Sequence, residues 1–213
     1  MSKPATDPLA QLTEIRAIME RSSRFISLSG LSGVGAGVVA LVGAGIGYWQ
    51  LQQRYSYLHY MRVLETTPAE RQAVLPFLLL LALGMIGAAL AIASFFTLRR
   101  ARQSGQVIWS SLGRRLAISL LIPLVAGGLF CLALFRQGAV GLVVPGLLLF
   151  YGLALLNASK YTLDEIRWLG LTQILLGLVA ILFPGYGLAF FALGFGIGHM
   201  LYGLLMYNRY ERR

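Results

Sequence analysis

Apolar residues in this chain fall in six long runs separated by short polar segments. The runs cover about residues 25–50, 74–98, 116–135, 139–157, 166–183 and 188–207. Each approaches the roughly 20 apolar residues that a helix needs to cross the hydrocarbon core. The pattern predicts an all-α fold, a polytopic transmembrane bundle of six helices over residues 25–213. The segments between the runs carry helix punctuation. "TPAE" at 67–70 offers Thr67 as N-cap, Pro68 at the first helical position and Glu70 closing a capping box. "TLDE" at 162–165 predicts a second box, Thr162 with Glu165, before the fifth run. "FRQG" at 135–138 and "FPGYG" at 183–187 have the composition of tight turns and predict two helical hairpins.

Two stretches lie outside the runs. In residues 1–24, Asp7 and Pro8 start a helix in which Leu9, Leu12, Ile15 and Met19 recur at helical spacing against Gln11, Glu14 and Arg16. That spacing predicts an amphipathic helix lying at the cytoplasmic interface, with a partner-binding helix as the alternative. No short apolar core with a cleavage site precedes it, so no signal peptide is expected. Residues 48–65 carry Tyr48, Trp49, Tyr55, Tyr57 and Tyr60, suited to an outer headgroup belt. They lack Gly and Pro, so the first helix is expected to continue past the membrane.

Charge fixes the expected orientation. With six spans both termini share a side. That side holds Lys3, Arg16, Arg21, Arg24, Arg99, Arg100, Arg102, Arg114, Arg115, Lys160, Arg167, Arg209, Arg212 and Arg213. The other side holds only Arg54, Arg62, Arg71 and Arg136. Cations concentrate on cytoplasmic loops, so both termini are expected in the cytoplasm of a bacterial inner membrane. Composition agrees: 57% of residues are hydrophobic, 12% are charged and mean hydropathy is +0.72. The net charge of +10 is accounted for by topology and does not point to nucleic acid. The single cysteine, Cys131, permits no disulfide within the chain.

The last two hairpins read as a repeat. "YGLALLN" at 151–157 and "YGLLMYN" at 202–208 stand 51 residues apart, each after a short-turn hairpin. This predicts parallel repeats related by an axis along the membrane normal, with the first two spans as a diverged third unit. The stretch "LGLTQILLGLVAILFPGYGLAFFALGFGIGHMLYGLLMY", with its central Pro and repeated small residues, resembles the hairpin of the HdeD-like (DUF308) bacterial membrane proteins. The block "ERSSRFISLSGLSGVGAG" is similar to one in uncharacterised six-span bacterial membrane proteins. The second resemblance, carried by the N-terminal block, is the preferred identity for the whole chain and implies a six-span fold with no assigned chemistry.

Candidate chemistry is sparse. His199 stands in the sixth run, about eight residues from its cytoplasmic end. An ionisable residue at that depth is a functional hypothesis by default. The other histidine, His59, lies in the outer segment, which disfavours bis-His haem. No carboxylate stands in a span core to complete a metal site or a proton relay. A hydrogen bond to another helix is the plainer expectation, with Tyr202, Asn157, Gln173 or a serine as partner. Ser29 and Ser32, with Ser27, add hydroxyls near the start of the first run. Gly194, Gly198 and Gly203 form a small-residue stripe beside His199, and Gly33, Gly37, Gly43 and Gly47 form two GxxxG pairs. Both read as sites of close helix approach. Pro123 and Pro145 are candidate kinks. A charge cluster of Arg21, Arg24, Arg114, Arg115, Asp164, Glu165 and Arg167 is expected at the cytoplasmic ends, as a topology signal with lipid contacts or as a salt-bridged collar.

These residues point away from an enzyme: there is no HExxH, GxSxG, paired-Asp motif or His box, and no cofactor is expected. The expected role is a sensor, assembly or regulatory component of the membrane. The expected partners are the lipid bilayer, further copies of the chain and a cytosolic protein on the N-terminal helix, with no nucleic acid. The alternative is a small oligomeric transporter or channel with a site near His199.

Overall fold

The structure is a computed structural model that describes residues 29–54, 66–104 and 110–212. The expected amphipathic helix of residues 1–24, the segment 55–65, and Arg21, Arg24 and His59 lie outside the described residues. Within them the chain is helical, with no strand. The order is α1 (Gly30–Arg54), α2 (Pro68–Ser104), α3 (Ser111–Arg136), α4 (Val143–Ala158) and α5 (Asp164–Ile181). The final arm is compound: α6 (Gly187–Phe191), a π-helical stretch (Ala192–Gly198) and α7 (His199–Tyr210).

Five of these segments are long and apolar enough to cross a membrane: Gly30–Gln53, Pro68–Arg102, Ser111–Arg136, Val140–Tyr161 and Pro184–Tyr210. The fifth expected span, α5, falls short of that description. It is 18 residues long, about 27 Å at 1.5 Å per residue. Asp164, Glu165 and Arg167 crowd its first turn. At the other extreme, α2 has 37 residues and a length of about 55 Å, well over the roughly 30 Å of hydrocarbon.

Both predicted hairpin turns form. Gly138 takes a positive φ of 90°, a conformation open to glycine, and one 3-10 turn at Val140–Leu142 then leads into α4. The second hairpin uses the same device, with Pro184 opening the 3-10 turn Pro184–Tyr186. The box at "TPAE" is reciprocal: the Thr67 N–H donates to Glu70 Oε2 (2.8 Å) and the Glu70 N–H to Thr67 Oγ1 (3.3 Å). At "TLDE" the expected reciprocal pairing is not made, because the Thr162 N–H donates to the Ser159 carbonyl. Leu163 holds the cap position without a side-chain hydrogen bond. The Glu165 carboxylate turns instead to Arg209 and Tyr210, because a cation and a phenol on α7 lie within reach.

Helices α4 and α5 pack along each other, α3 packs on α4, and α1 packs on both α7 and α2. Glycine sets the two tightest crossings. A Cβ on Gly152 of α4 would stand 2.7 Å from the Gly170 carbonyl of α5, and one on Gly177 would meet Pro145 and Leu149 at 3.0 Å. A Cβ on Gly203 of α7 would stand 2.6 Å from the Gly30 carbonyl of α1. So the matched glycines of the two "YGL" blocks each bring one backbone against another, on α5 in one case and on α1 in the other. The outermost helix, α2, buries none of the residues in its most apolar window, so its apolar side faces outward.

Candidate functional site

His199 is the first residue of α7 and is buried. Its Nδ1 lies 3.1 Å from the Gly194 carbonyl. A carbonyl only accepts, so Nδ1 carries the proton. In the neutral ring Nε2 then accepts, and the Tyr151 hydroxyl donates to it across 2.7 Å. Tyr151 belongs to α4, so this bond joins the second arms of the two hairpins. Phe195 lies nearly parallel to the imidazole (8° between planes, 6.1 Å between centroids) and also meets Tyr151 at 5.0 Å.

The Gly194 carbonyl has a second donor. Gln173 of α5, fully buried, gives it an Nε2–H at 2.8 Å. Both lone pairs of one backbone oxygen are therefore used by side chains from two places. The other amide atom, Gln173 Oε1, receives no N–H or O–H donor. It stands 2.5 Å from where a Cβ on Gly194 would be, so the missing methyl makes room for the amide head. Gly194 lies in the π-helical stretch, whose wider i→i+5 turns recur at functional sites.

The chain of bonds runs from Tyr151 to His199 to Gly194, and from Gln173 to Gly194. Donors converge on an oxygen that has no proton to pass on. In this arrangement His199 ties α4 to the final arm and Gln173 ties α5 to it, through the same Gly194 carbonyl. Replacing Tyr151 with Phe leaves Nε2 buried without a donor. Unfolding in mixed micelles is expected to become easier by about 1 kcal/mol, the scale of interhelical hydrogen bonds in membrane proteins. The double variant Tyr151→Phe with His199→Leu is expected to lose less than the sum of the two single changes, because neither substitution then leaves the other's partner atom orphaned.

The other polar residues read from the sequence are placed elsewhere. The Tyr202 hydroxyl bonds to Thr172 Oγ1 at 3.1 Å, and Thr172 in turn donates to the Trp168 carbonyl. Asn157 donates to the Ser119 carbonyl of α3 at 3.0 Å. Ser29 and Ser32 lie at the start of α1, where Ser29 Oγ donates to Glu211 Oε2 at 3.0 Å and Ser32 donates to the Ser29 carbonyl. Of the named partners for His199, only Gln173 comes into its group, and it does so through the shared carbonyl. Tyr151 was not named as a partner; its place in the repeated "YGL" block, opposite Tyr202, is the only sequence signal for it.

The glycines divide between two neighbours. Gly33 and Gly37 of α1 meet Gly203, and Gly196 with Met200, respectively. Gly43 and Gly47 of the same helix face Met85 and Leu81 of α2. Gly194 and Gly198 face Gln173 of α5, whereas Gly203 faces α1. The expected single stripe Gly194–Gly198–Gly203 is therefore two contact faces, with the π-helical stretch and its shifted register lying in the arm that bears them.

At the end of the bundle holding Ser29 and Glu165, charges pair in ways that sequence spacing does not show. Glu165 accepts from Arg209 at 2.9 Å and from the Tyr210 hydroxyl at 3.0 Å. Arg209 is 72% exposed, so that ion pair contributes little. Glu211 is the better-placed acid. It pairs with Arg100 of α2 at 2.8 Å and accepts from the Gly30 N–H of α1. Its position beside the N-terminus of α1 also suits the helix dipole. Arg114, Arg115, Asp164 and Arg167 are exposed. Among the described residues no three His, Cys, Asp or Glu side chains gather in a metal-binding group.

Comparison with protein-family models, curated proteins and solved structures gave no match.

Proposed function

We propose that this protein is a six-span integral protein of a bacterial inner membrane, with both termini cytoplasmic, acting without catalytic chemistry as a sensor, assembly or regulatory component. One observation carries the reading. The polar groups inside the apolar bundle are turned toward one another across helices, and the His199 proton is committed to a carbonyl. Such a network specifies how helices seat. The exposed apolar side of α2 suits contact with lipid or with a further copy of the chain. In proteoliposomes, neither the wild type nor His199→Ala is expected to dissipate a proton gradient faster than empty vesicles. Dissipation by the wild type that is abolished by His199→Ala would overturn the reading.

A second reading, a small oligomeric transporter or channel with a site near His199, has one observation in its favour. The donor-free Gln173 Oε1 of α5 lies beside the π-helical stretch, which belongs to an apolar span.

Topology is tested separately, and α5 is the decisive helix. In a Cys131→Ser background, cysteines at Gln137 and Tyr186 are expected to react with an impermeant maleimide added to spheroplasts. One at Lys160 is expected to react only after permeabilisation. Labelling of the Lys160 and Tyr186 positions from the same side would mean that α5 does not cross.

A further inference from the structure

Pro123 lies within α3 and has no N–H, so the Ser119 carbonyl four residues earlier loses its helical donor. Asn157 supplies that donor from α4 (3.0 Å). The other end of the same amide, Oδ1, accepts from Lys160 Nζ at 3.3 Å. A proline in one helix thus orders an ammonium on the next. Lys160 belongs to the 3-10 turn Ser159–Tyr161, which packs against α3. Arg115 stands one helical turn before Ser119 on the same side of α3, and Arg114 stands beside it. All three cations are exposed, and the first turn of α3 contains no acid. Its N-terminal dipole adds to the positive field. Of the acids at this end, Glu165 is engaged with Arg209 and Tyr210 and Glu211 with Arg100 and α1, while Asp164 stands exposed at the start of α5.

Beneath these cations α3 presents an apolar stripe. Ile118, Leu121, Ile122, Val125 and Leu129 follow Arg114 at helical spacing, and each is more than half exposed. Cations at one end of an exposed apolar stripe match one molecular shape, an anionic head with acyl chains below it.

We propose that Arg114, Arg115 and Lys160 bind the phosphate of an anionic phospholipid whose acyl chains lie along α3. The proposal rests on the reading that the chain spans a membrane. A soluble phosphate would use the cations and leave the stripe bare. A zwitterionic lipid brings its own cation into the same field and gains less from it. The annular contact is therefore selective for the head group, and it holds a lipid against the α3–α4 hairpin.

The test uses the full chain in nanodiscs of equimolar phosphatidylglycerol and phosphatidylcholine, with native mass spectrometry of the lipids that stay bound. Phosphatidylglycerol is expected to be enriched on the wild type. Enrichment should fall by about fivefold for each cation removed, through Lys160→Gln and then Arg114→Gln/Arg115→Gln/Lys160→Gln. Arg99→Gln/Arg102→Gln, which removes exposed charge from α2, should leave it unchanged, as should millimolar inorganic phosphate. Equal enrichment on the triple variant, an equal fall in the α2 variant, or displacement by phosphate would each overturn the proposal. A chain that stays in the aqueous phase and never enters nanodiscs would overturn the membrane reading instead, a result distinct from unselective lipid binding.

Discussion

Gly203→Leu is expected to be the most damaging single substitution in the described bundle. The new side chain would have to enter where α7 meets the backbone of α1, at the Gly30 carbonyl and the Val34 N–H. Backbone cannot rotate away as a side chain can, so the two helices must separate. Overpacking in cores costs about 1–3 kcal/mol, and a backbone-to-backbone contact places this case at about 3 kcal/mol or more. Loss of the crossing would also carry Glu211 away from α1. The control is Gly84→Leu on α2, where an added Cβ meets nothing within 4 Å. That change is expected to stay within about 0.5 kcal/mol of the wild type. Steric-trap or denaturant unfolding in bicelles measures both, and equal effects would show that α1 and α7 do not pack in this way.

The second large effect is expected at Glu211, where one carboxylate holds three helices. Removing it as Glu211→Ala takes the ion pair from Arg100, leaves the first N–H of α1 without its acceptor and frees the Ser29 hydroxyl. The ion pair is mostly shielded, with 17% and 15% side-chain exposure for Arg100 and Glu211. Breaking a buried pair costs about 3–5 kcal/mol and an exposed one under 1 kcal/mol, so a loss of about 2 kcal/mol is expected. Glu211→Gln keeps an acceptor for Gly30 and is expected to lose about half of that. Because the pair is shielded, the difference should change little between low and high salt. Glu165→Gln serves as the contrast, since its ion-pair partner Arg209 is largely exposed. Unfolding of the four proteins at two ionic strengths checks the order, and a Glu211→Ala variant as stable as the wild type would remove the clamp.

The parts of the fold that were legible in the sequence are those governed by local chemistry. The Thr67–Glu70 box spans four residues and closes on itself, so its spacing suffices. The turn at Gly138 needs only a residue that tolerates positive φ. Thr162 and Glu165 have the same spacing, yet the Glu165 carboxylate goes to Arg209 and Tyr210, over 40 residues away in the chain. The Asn157 bond was half legible. A proline at 123 announces an unpaired carbonyl at 119, but which residue meets it depends on how α4 lies against α3. The packing role of Gly170 and Gly177 was missed, although their seven-residue spacing on α5 is a sign of one contact face.

The sequence by itself determined that the described residues are helical and where the apolar runs begin and end. These follow from hydropathy and from backbone chemistry, which act over a few residues. The tertiary structure alone decided that His199 pairs with Tyr151, that Gln173 shares the Gly194 carbonyl, and that Glu211 ties α1 to α2. Those pairings depend on helix rotation and depth, and the π-helical stretch alters both within a single arm. A buried donor or acceptor must take whatever partner the packing brings within about 3 Å. Residues far apart in the chain can satisfy that requirement only once the helices have docked.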